Sequence, residues 1–369
     1  MSDFVYFFTD PHLGLQRSAG TTGKSKKLYE QALFEQVQSI ISLALSEYTP
    51  LICLGDLFDT THNSEEVILQ GLEVARACKV VLAGNHDISN KVDDRGSLHL
   101  VKEILENEYI VGTEVIISPD PSLPFFECKM LDKFDTVFCF VPHCLTQEIF
   151  RKSLEEAVSA AIEEIKEGDK CVLCLHCNVG NGMGKLEDGG CPLWLTDELQ
   201  ELVLTKFDKV LIGHEHEPKE LHEGRIIILG NTFPVSYGEI APRFMYKMNL
   251  VTTELEKIEI FKVEGNYLEL HVDTCLEVSG ELAFEHRLVE IVGTMKPTDQ
   301  APLARALMKL WSENPQLLAV KKSVEVTDSG LSPAAKKVLE KRNLRQIVSD
   351  AILDSGYSEE FRELEEEKE

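Results

Sequence analysis

The sequence lacks any apolar run long enough to cross a membrane: its hydrophobic stretches stop well short of the roughly 20 residues that a spanning helix needs. A secretory leader is also missing. The opening segment MSDFVYFFTD has a short apolar core, Phe4 to Phe8, with no basic residue before it, which is too short and wrongly flanked for a signal peptide. A cytoplasmic protein is therefore expected, in the host cytoplasm if the source is viral. Positive charge is scarce. Lys and Arg number 37 against 63 Asp and Glu, a net charge of −26, which argues against broad electrostatic attraction to nucleic acid. Part of the acidic excess is a terminal run, Glu359, Glu360, Glu363 and Glu365 to Glu367, and part lies in carboxylates that a bound cation would offset. There is no internal repeat and no low-complexity linker.

Cysteine occurs ten times but not as a disulfide framework. Cys53 in LICLGD and Cys139 in VFCFV sit inside apolar runs, and buried reduced thiols are expected. Cys171, Cys174 and Cys177 have the CxxCxxC spacing of a metal–sulfur site. Yet VLCLHC reads as a strand, in which residues three apart face opposite ways, so no such site is expected.

What is present is an ordinary apolar fraction, 43% of 369 residues, enough for one large domain and a small one. Apolar runs at 4–8, 51–54, 80–82, 172–175 and 209–212 read as buried strands, with helical periodicity over 28–46, 65–78, 154–165 and 199–204. Further strands are expected at 109–117, 125–130, 137–141, 225–229, 244–250 and 257–263. Strand, loop, helix in repetition is an α/β pattern that places sites at the carboxyl ends of strands. The expected division is a main domain over 1–265, a β-α-β cap over 266–329 and a C-terminal segment over 330–369. That segment holds an amphipathic helix, with Leu339, Leu344, Ile347, Val348, Ile352 and Leu353 as its apolar stripe, and the acidic tail.

The chemistry is carried by five short motifs, each following a strand-like run. They are DPH (Asp10, His12), GDLFD (Asp56, Asp59), GNHD (Asn85, His86, Asp87), LHC (His176) and GHEH (His214, His216). Hard and borderline divalent ions take carboxylate, imidazole and amide oxygen. Asp10, His12, Asp56, Asn85, His176, His214 and His216 are too many for one tetrahedral ion and suit two ions sharing a carboxylate. Two ions about 3.5–4 Å apart clamp the attacking and leaving oxygens of a phosphoryl displacement and activate a water as nucleophile. His86 is placed to give a proton to the leaving oxygen, with Asp87 to orient its ring. Any one of these histidines alone would read as structural; five motifs in register do not.

In order and spacing these motifs resemble the calcineurin-like metallophosphoesterase family over residues 3–263. The resemblance implies a two-sheet sandwich flanked by helices and manganese as the working metal. It implies one ion on Asp10, His12, Asp56 and His216, a second on Asp56, Asn85, His176 and His214, and assistance from His86. Within the family the chain is similar to the SbcD-like nuclease branch, through DPHLG with its Gly- and Lys-rich loop, GDLFD, GNTFPVSYGE, the cap and the C-terminal helix. That likeness implies a manganese DNA exonuclease and endonuclease of DNA repair and recombination, homodimeric. Its C-terminal helix would grip an SbcC-like ATPase through Leu344, Ile347, Val348 and Ile352. DNA phosphates would meet Arg17, Lys24, Lys26, Lys27 and Lys185, while Arg305, Lys309, Lys321 and Lys322 read as an ordinary charged face. One departure stands out: Asp59 occupies a position where the cellular nucleases usually carry histidine, which fits a phage source. The competing readings are a phosphatase or cyclic-nucleotide phosphodiesterase on the same core, against which the extra cap and helix speak, and a non-catalytic scaffold, against which the complete ligand set speaks.

Overall fold

The structure, a computed structural model, describes residues 2–15, 23–89, 95–107, 113–130, 136–164, 169–180, 191–235, 239, 241–262, 267–277, 288–314, 317 and 319–326. In chain order it begins β1 (Phe4–Phe8), α1 (Gly23–Ser46), β2 (Leu51–Cys53), α2 (Glu65–Ala77), β3 (Val80–Leu82), α3 (Ser97–Asn107) and β4 (Glu114–Ile116). There follow β5 (Glu127–Met130), β6 (Thr136–Val141), α4 (Gln147–Glu164), β7 (Lys170–His176), β8 (Asn178–Val179), β9 (Trp194–Leu195) and α5 (Asp197–Leu204). Next are β10 (Lys209–Gly213), β11 (Lys219–Leu221), β12 (Ile226–Ile228), β13 (Arg243–Asn249) and β14 (Leu255–Phe261). The chain continues through β15 (Tyr267–His271), α6 (Val272–Glu277), β16 (Leu288–Met295), α7 (Gln300–Glu313) and β17 (Ala319–Val326).

Two compact units result, one from residues 1–16 and 30–262, the other from 17–29 and 263–369. The first is an α/β sandwich of two six-stranded sheets, ordered β14-β13-β1-β2-β3-β4 and β11-β12-β10-β7-β6-β5. The central strands of each run parallel; antiparallel strands lie at both margins of the second sheet and at the β14-β13 side of the first, whose other edge, β4, is parallel to β3. Strands buried on both faces are apolar along their buried run: β1, β2 and β3 carry no charged residue, and β7 and β10 are uncharged from Cys171 to Leu175 and from Val210 to Gly213, after a lysine at the start of each. The inner layer joins Val5, Phe7, Ile52 and Leu82 of one sheet to Phe138, Phe140, Val172 and Leu211 of the other. Each such side chain, fully buried, stabilises the fold by about 1.5–3 kcal/mol before entropy is counted. The outer face of the second sheet is covered by Phe150, Leu154, Leu199 and Val203 of α4 and α5. Local signals agree with these elements: Ser64 caps α2, followed by Glu65 and Glu66 in its first turn, and Thr196 caps α5.

The second unit is a three-stranded parallel sheet, β15-β16-β17. Its core is Leu270, Val272, Cys275, Val289, Ile291, Leu303, Leu307 and Leu310. The β-α-β expected within 266–329 corresponds to β16, α7 and β17, but β15 and α6 precede it. The missed helix α3 buries Leu98, Val101 and Leu105, an i, i+3, i+7 stripe that was available in the sequence.

Cys171 and Cys177 pack on the outer face of the second sheet and Cys174 on the inner one, as alternation on a strand requires. The expectation of reduced thiols needs one correction. Cys128 and Cys139 are joined as a disulfide, because antiparallel register sets them directly opposite on β5 and β6. Eight other cysteines are free and buried. The C-terminal segment with Leu344, Ile347, Val348 and Ile352 lies outside the described residues, as do Arg17 and Lys185. Lys24, Lys26 and Lys27 fall in the first turns of α1, with their side chains outside the description.

Candidate metal centre

Five strands of the two sheets deliver their ligand loops to one place. Asp10 and His12 follow β1, Asp56 follows β2, Asn85 and His86 follow β3, His176 ends β7, and His214 and His216 follow β10. The first two loops continue the parallel pairing of their strands: Asp10 N–H donates to Gly55 O at 3.1 Å, His12 N–H to Asp56 O at 3.1 Å and Leu13 N–H to Leu57 O at 2.9 Å. The two sheets are tied by Asp10 Oδ2, which accepts from His214 N–H at 3.0 Å and from the Thr9 hydroxyl at 2.5 Å. Asp56 Oδ1 accepts from His86 N–H at 2.9 Å.

Holding ligands this close strains the backbone. Asp10, His12, Asp56 and His214 all have positive φ, at 53°, 45°, 49° and 92°, a region that costs a non-glycine residue about 1–3 kcal/mol unless its surroundings enforce it. Two motif glycines follow from the same crowding. A Cβ on Gly84 would run into the carboxylate and main-chain nitrogen of Asp56, and one on Gly55 into the His176 ring.

The side chains form two adjoining ligand clusters, Asp10–His12–His216 and Asp56–His176–His214, with a third group, His12–Asp56–His86, between them. His12 Nε2 lies 3.3 Å from His216 Nε2 and 3.8 Å from Asp10 Oδ1. His176 Nε2 lies 3.2 Å from Asp56 Oδ2, 3.9 Å from Asp10 Oδ1 and 3.1 Å from Asn85 Oδ1. All seven sequence-predicted ligands are thus brought together.

The hydrogen bonds around the site set which ring nitrogen faces inward. A carbonyl can only accept, so His176 Nδ1 carries a proton toward Leu54 O at 2.8 Å, and His86 Nδ1 toward Asp59 O at 2.5 Å. His216 Nδ1 is held by Glu239 Oε1 at 2.9 Å. In each case Nε2 is the nitrogen left for the cavity. Asp87 does not orient the His86 ring as expected. Its carboxylate accepts main-chain N–H groups from Gly84 at 2.9 Å, Phe58 at 3.0 Å and Leu57 at 3.2 Å. Asp59, at the position singled out in GDLFD, serves His86 through its carbonyl and sets Oδ1 3.5 Å from His12 Nδ1.

Electrostatics and unmet bonding both fit a cation. Burial alone would neutralise His176, but Asp56 and Asp10 beside it push its pKa up to about 10. Burial likewise opposes charge on Asp56, yet the neighbouring His176 holds its carboxyl well below the usual range. Burial pushes His214 down to about 3, leaving it a neutral ligand. Asp10 Oδ1 and His214 Nε2 are buried and make no hydrogen bond, a costly condition that divalent ions would relieve. Oxygen and imidazole donors suit manganese, zinc or iron more than calcium.

Sequence reasoning missed several neighbours. Glu239, Asn231 and Arg243 act on His216 through tertiary contacts, with only the GNTFPVSYGE stretch as a hint. His143, after β6, is buried beside Cys191, its Nδ1 3.8 Å from the sulfur.

The family model for calcineurin-like phosphoesterases matches residues 5–218. The SbcD subunit of the nuclease SbcCD from Staphylococcus saprophyticus is 20% identical over 284 residues, 71% of this chain and 73% of that protein. Among solved structures, a Staphylococcus aureus protein described as a 5′-nucleotidase, in complex with α-ketoglutarate, matches with a TM-score of 0.43 and 14% identity. That match covers 70% of this chain and only 54% of the other.

Proposed function

Because the chain belongs to the calcineurin-like phosphoesterase family, we propose that this metal-dependent phosphoesterase is a DNA nuclease of the SbcD type. It hydrolyses phosphodiester bonds as exonuclease and endonuclease, with two divalent ions, manganese by preference. The observation that supports the reading best is the pair of adjoining ligand clusters in a chain similar to an SbcD nuclease over most of both lengths.

Asp10, His12, Asp56 and His216 would hold one ion, and Asp56, Asn85, His176 and His214 the other. When bound, the ions supply Lewis acidity and a nucleophilic water. The chain's own residues do the rest. His86 keeps Nδ1 on the Asp59 carbonyl, so the proton it can transfer sits on Nε2, beside His12 and Asp56. Burial works against charge on this ring, but Asp56 raises its pKa, which suits a donor to the departing oxygen. Asp87 keeps the loop bearing His86 against the loop bearing Asp56 and supports the chemistry from there.

The wider assembly belongs to the same proposal. Residues 1–265 form the nuclease domain, 266–329 a cap that presents DNA, and 330–369 a segment whose Leu344, Ile347, Val348 and Ile352 dock on an SbcC-like ATPase. Arg17, Lys24, Lys26, Lys27 and Lys185 meet the phosphates, and the active form is a homodimer in the cytoplasm. Purified protein should cleave single- or double-stranded DNA with Mn²⁺ and not after chelation, and His86→Ala should lose cleavage by about 100-fold or more while still binding metal. Turnover of aryl phosphates or cyclic nucleotides without DNA cleavage would overturn the nuclease reading in favour of the phosphatase one. Full cleavage by His86→Ala would remove its assigned role.

A further inference from the structure

Glu239 and Arg243 belong to none of the five metal motifs, yet both are wired to His216. Glu239 Oε1 takes the His216 Nδ1 proton at 2.9 Å. Its Oε2 accepts from Asn231 Nδ2 at 2.7 Å, Arg243 NH2 at 2.8 Å and Val235 N–H at 3.1 Å. With both oxygens engaged the carboxylate is locked in place. Arg243 is fully buried and its second terminal nitrogen, NH1, donates to the main-chain carbonyl of His216 at 2.8 Å. One ion pair therefore grips this residue twice, by its ring and by its backbone.

The consequence is chemical. A carboxylate beside a buried guanidinium stays ionised and can only accept. The His216 proton is therefore confined to Nδ1, and Nε2 points its lone pair at His12 and Asp10. We propose that Glu239, braced by Arg243 and Asn231, is a positioning residue that fixes the tautomer and orientation of His216 for metal ligation. A histidine ligand that gives its second N–H to a carboxylate is a stronger and better-aimed ligand, and loss of such a partner lowers metal affinity by about 10–100-fold. Leaving Arg243 without its carboxylate would also bury an unpaired charge, so a simple truncation at Glu239 confuses folding with ligation.

Two variants of the full chain separate these effects. Glu239→Gln keeps an acceptor for Nδ1 but loses the charge. Glu239→Leu with Arg243→Met removes the carboxylate and the guanidinium together, so no charge is stranded. Mn²⁺ binding followed by electron paramagnetic resonance titration should show one of the two ions weakened by less than about tenfold in Glu239→Gln and by about 10–100-fold in the double variant. In metal-free protein, at a pH high enough for His216 to be neutral in both proteins, ¹⁵N spectra of His216 should show the Nδ1-protonated tautomer in wild type and a mixture in the double variant. A folded double variant that binds both ions as wild type does, with an unchanged His216 spectrum, would overturn the proposal. It rests on the metal reading of the site, whose own failure would appear as absent Mn²⁺ binding by the wild-type chain.

Discussion

The Asp87 carboxylate accepts N–H groups from Gly84, Leu57 and Phe58, and removing it would orphan all three donors in a buried pair of loops. Each unmet donor costs about 1–3 kcal/mol. Asp87→Ala should therefore lower stability by several kcal/mol, seen as a large fall in the denaturant midpoint of metal-free protein. A merely ring-orienting residue would leave apo stability nearly intact. His143 gives a second prediction at this scale. Burial pushes its pKa down to about 3, so the folded state holds it neutral while the unfolded chain takes up a proton below its ordinary value of 6.5. Stability is thus full above about pH 7 and falls by about 1.4 kcal/mol per pH unit from this group as pH drops from 6.5 toward 3. Urea titrations from pH 7 to pH 5 should show His143→Asn with a shallower decline than wild type, by the equivalent of one proton.

Between residue and fold lies the crossing of loops. Gly84 precedes Asn85 because the space where its Cβ would go is filled by Asp56. Gly84→Ala should push the loop after β3 away from the one after β2, costing about 1–3 kcal/mol of stability and at least tenfold in Mn²⁺ affinity. Calorimetric unfolding and metal titration of the one variant check both. Motif glycines of this kind can be read in sequence as part of GD, GN and GH pairs, and the strands before them as unbroken apolar runs such as VVL and VLI. That is why the ligand set and its strand ends were legible: local composition and one tertiary fact, burial on both sheet faces, point the same way. The rest was less so for specific reasons. Helix α3 has a regular stripe but a polar lead-in. The YLELH of β15 alternates only weakly, with Leu270 its one buried side chain. Glu239 joins His216 across 23 residues of chain, a contact with no periodic signature, and the Cys128–Cys139 link depends on a register that hairpin composition does not specify.

At the scale of the whole molecule the governing quantity is charge. A chain of net −26 that folds Asp10, Asp56, Asp59 and Asp87 into or beside one buried site carries self-repulsion that only compact, highly charged counterions can offset locally. Sodium screens the exposed acids but does not enter a site ringed by imidazole and carboxylate. Divalent ions that bind only the native state stabilise it by mass action, about 2.7 kcal/mol per site at a hundredfold excess over the dissociation constant. A unit of this size responds with about 2–4 °C for each kcal/mol. Adding Mn²⁺ at that excess should raise the melting temperature of wild-type protein by about 5–10 °C or more, and chelation should reverse it. Matching the ionic strength with sodium chloride should give much less. In Asp56→Asn, which alters the carboxylate that the proposed ion sites would share, the Mn²⁺ increment should largely vanish while the sodium response persists. An equal response to both salts in wild type would mean that the stabilisation comes from screening of the acidic surface, and would remove the buried site from the account of stability.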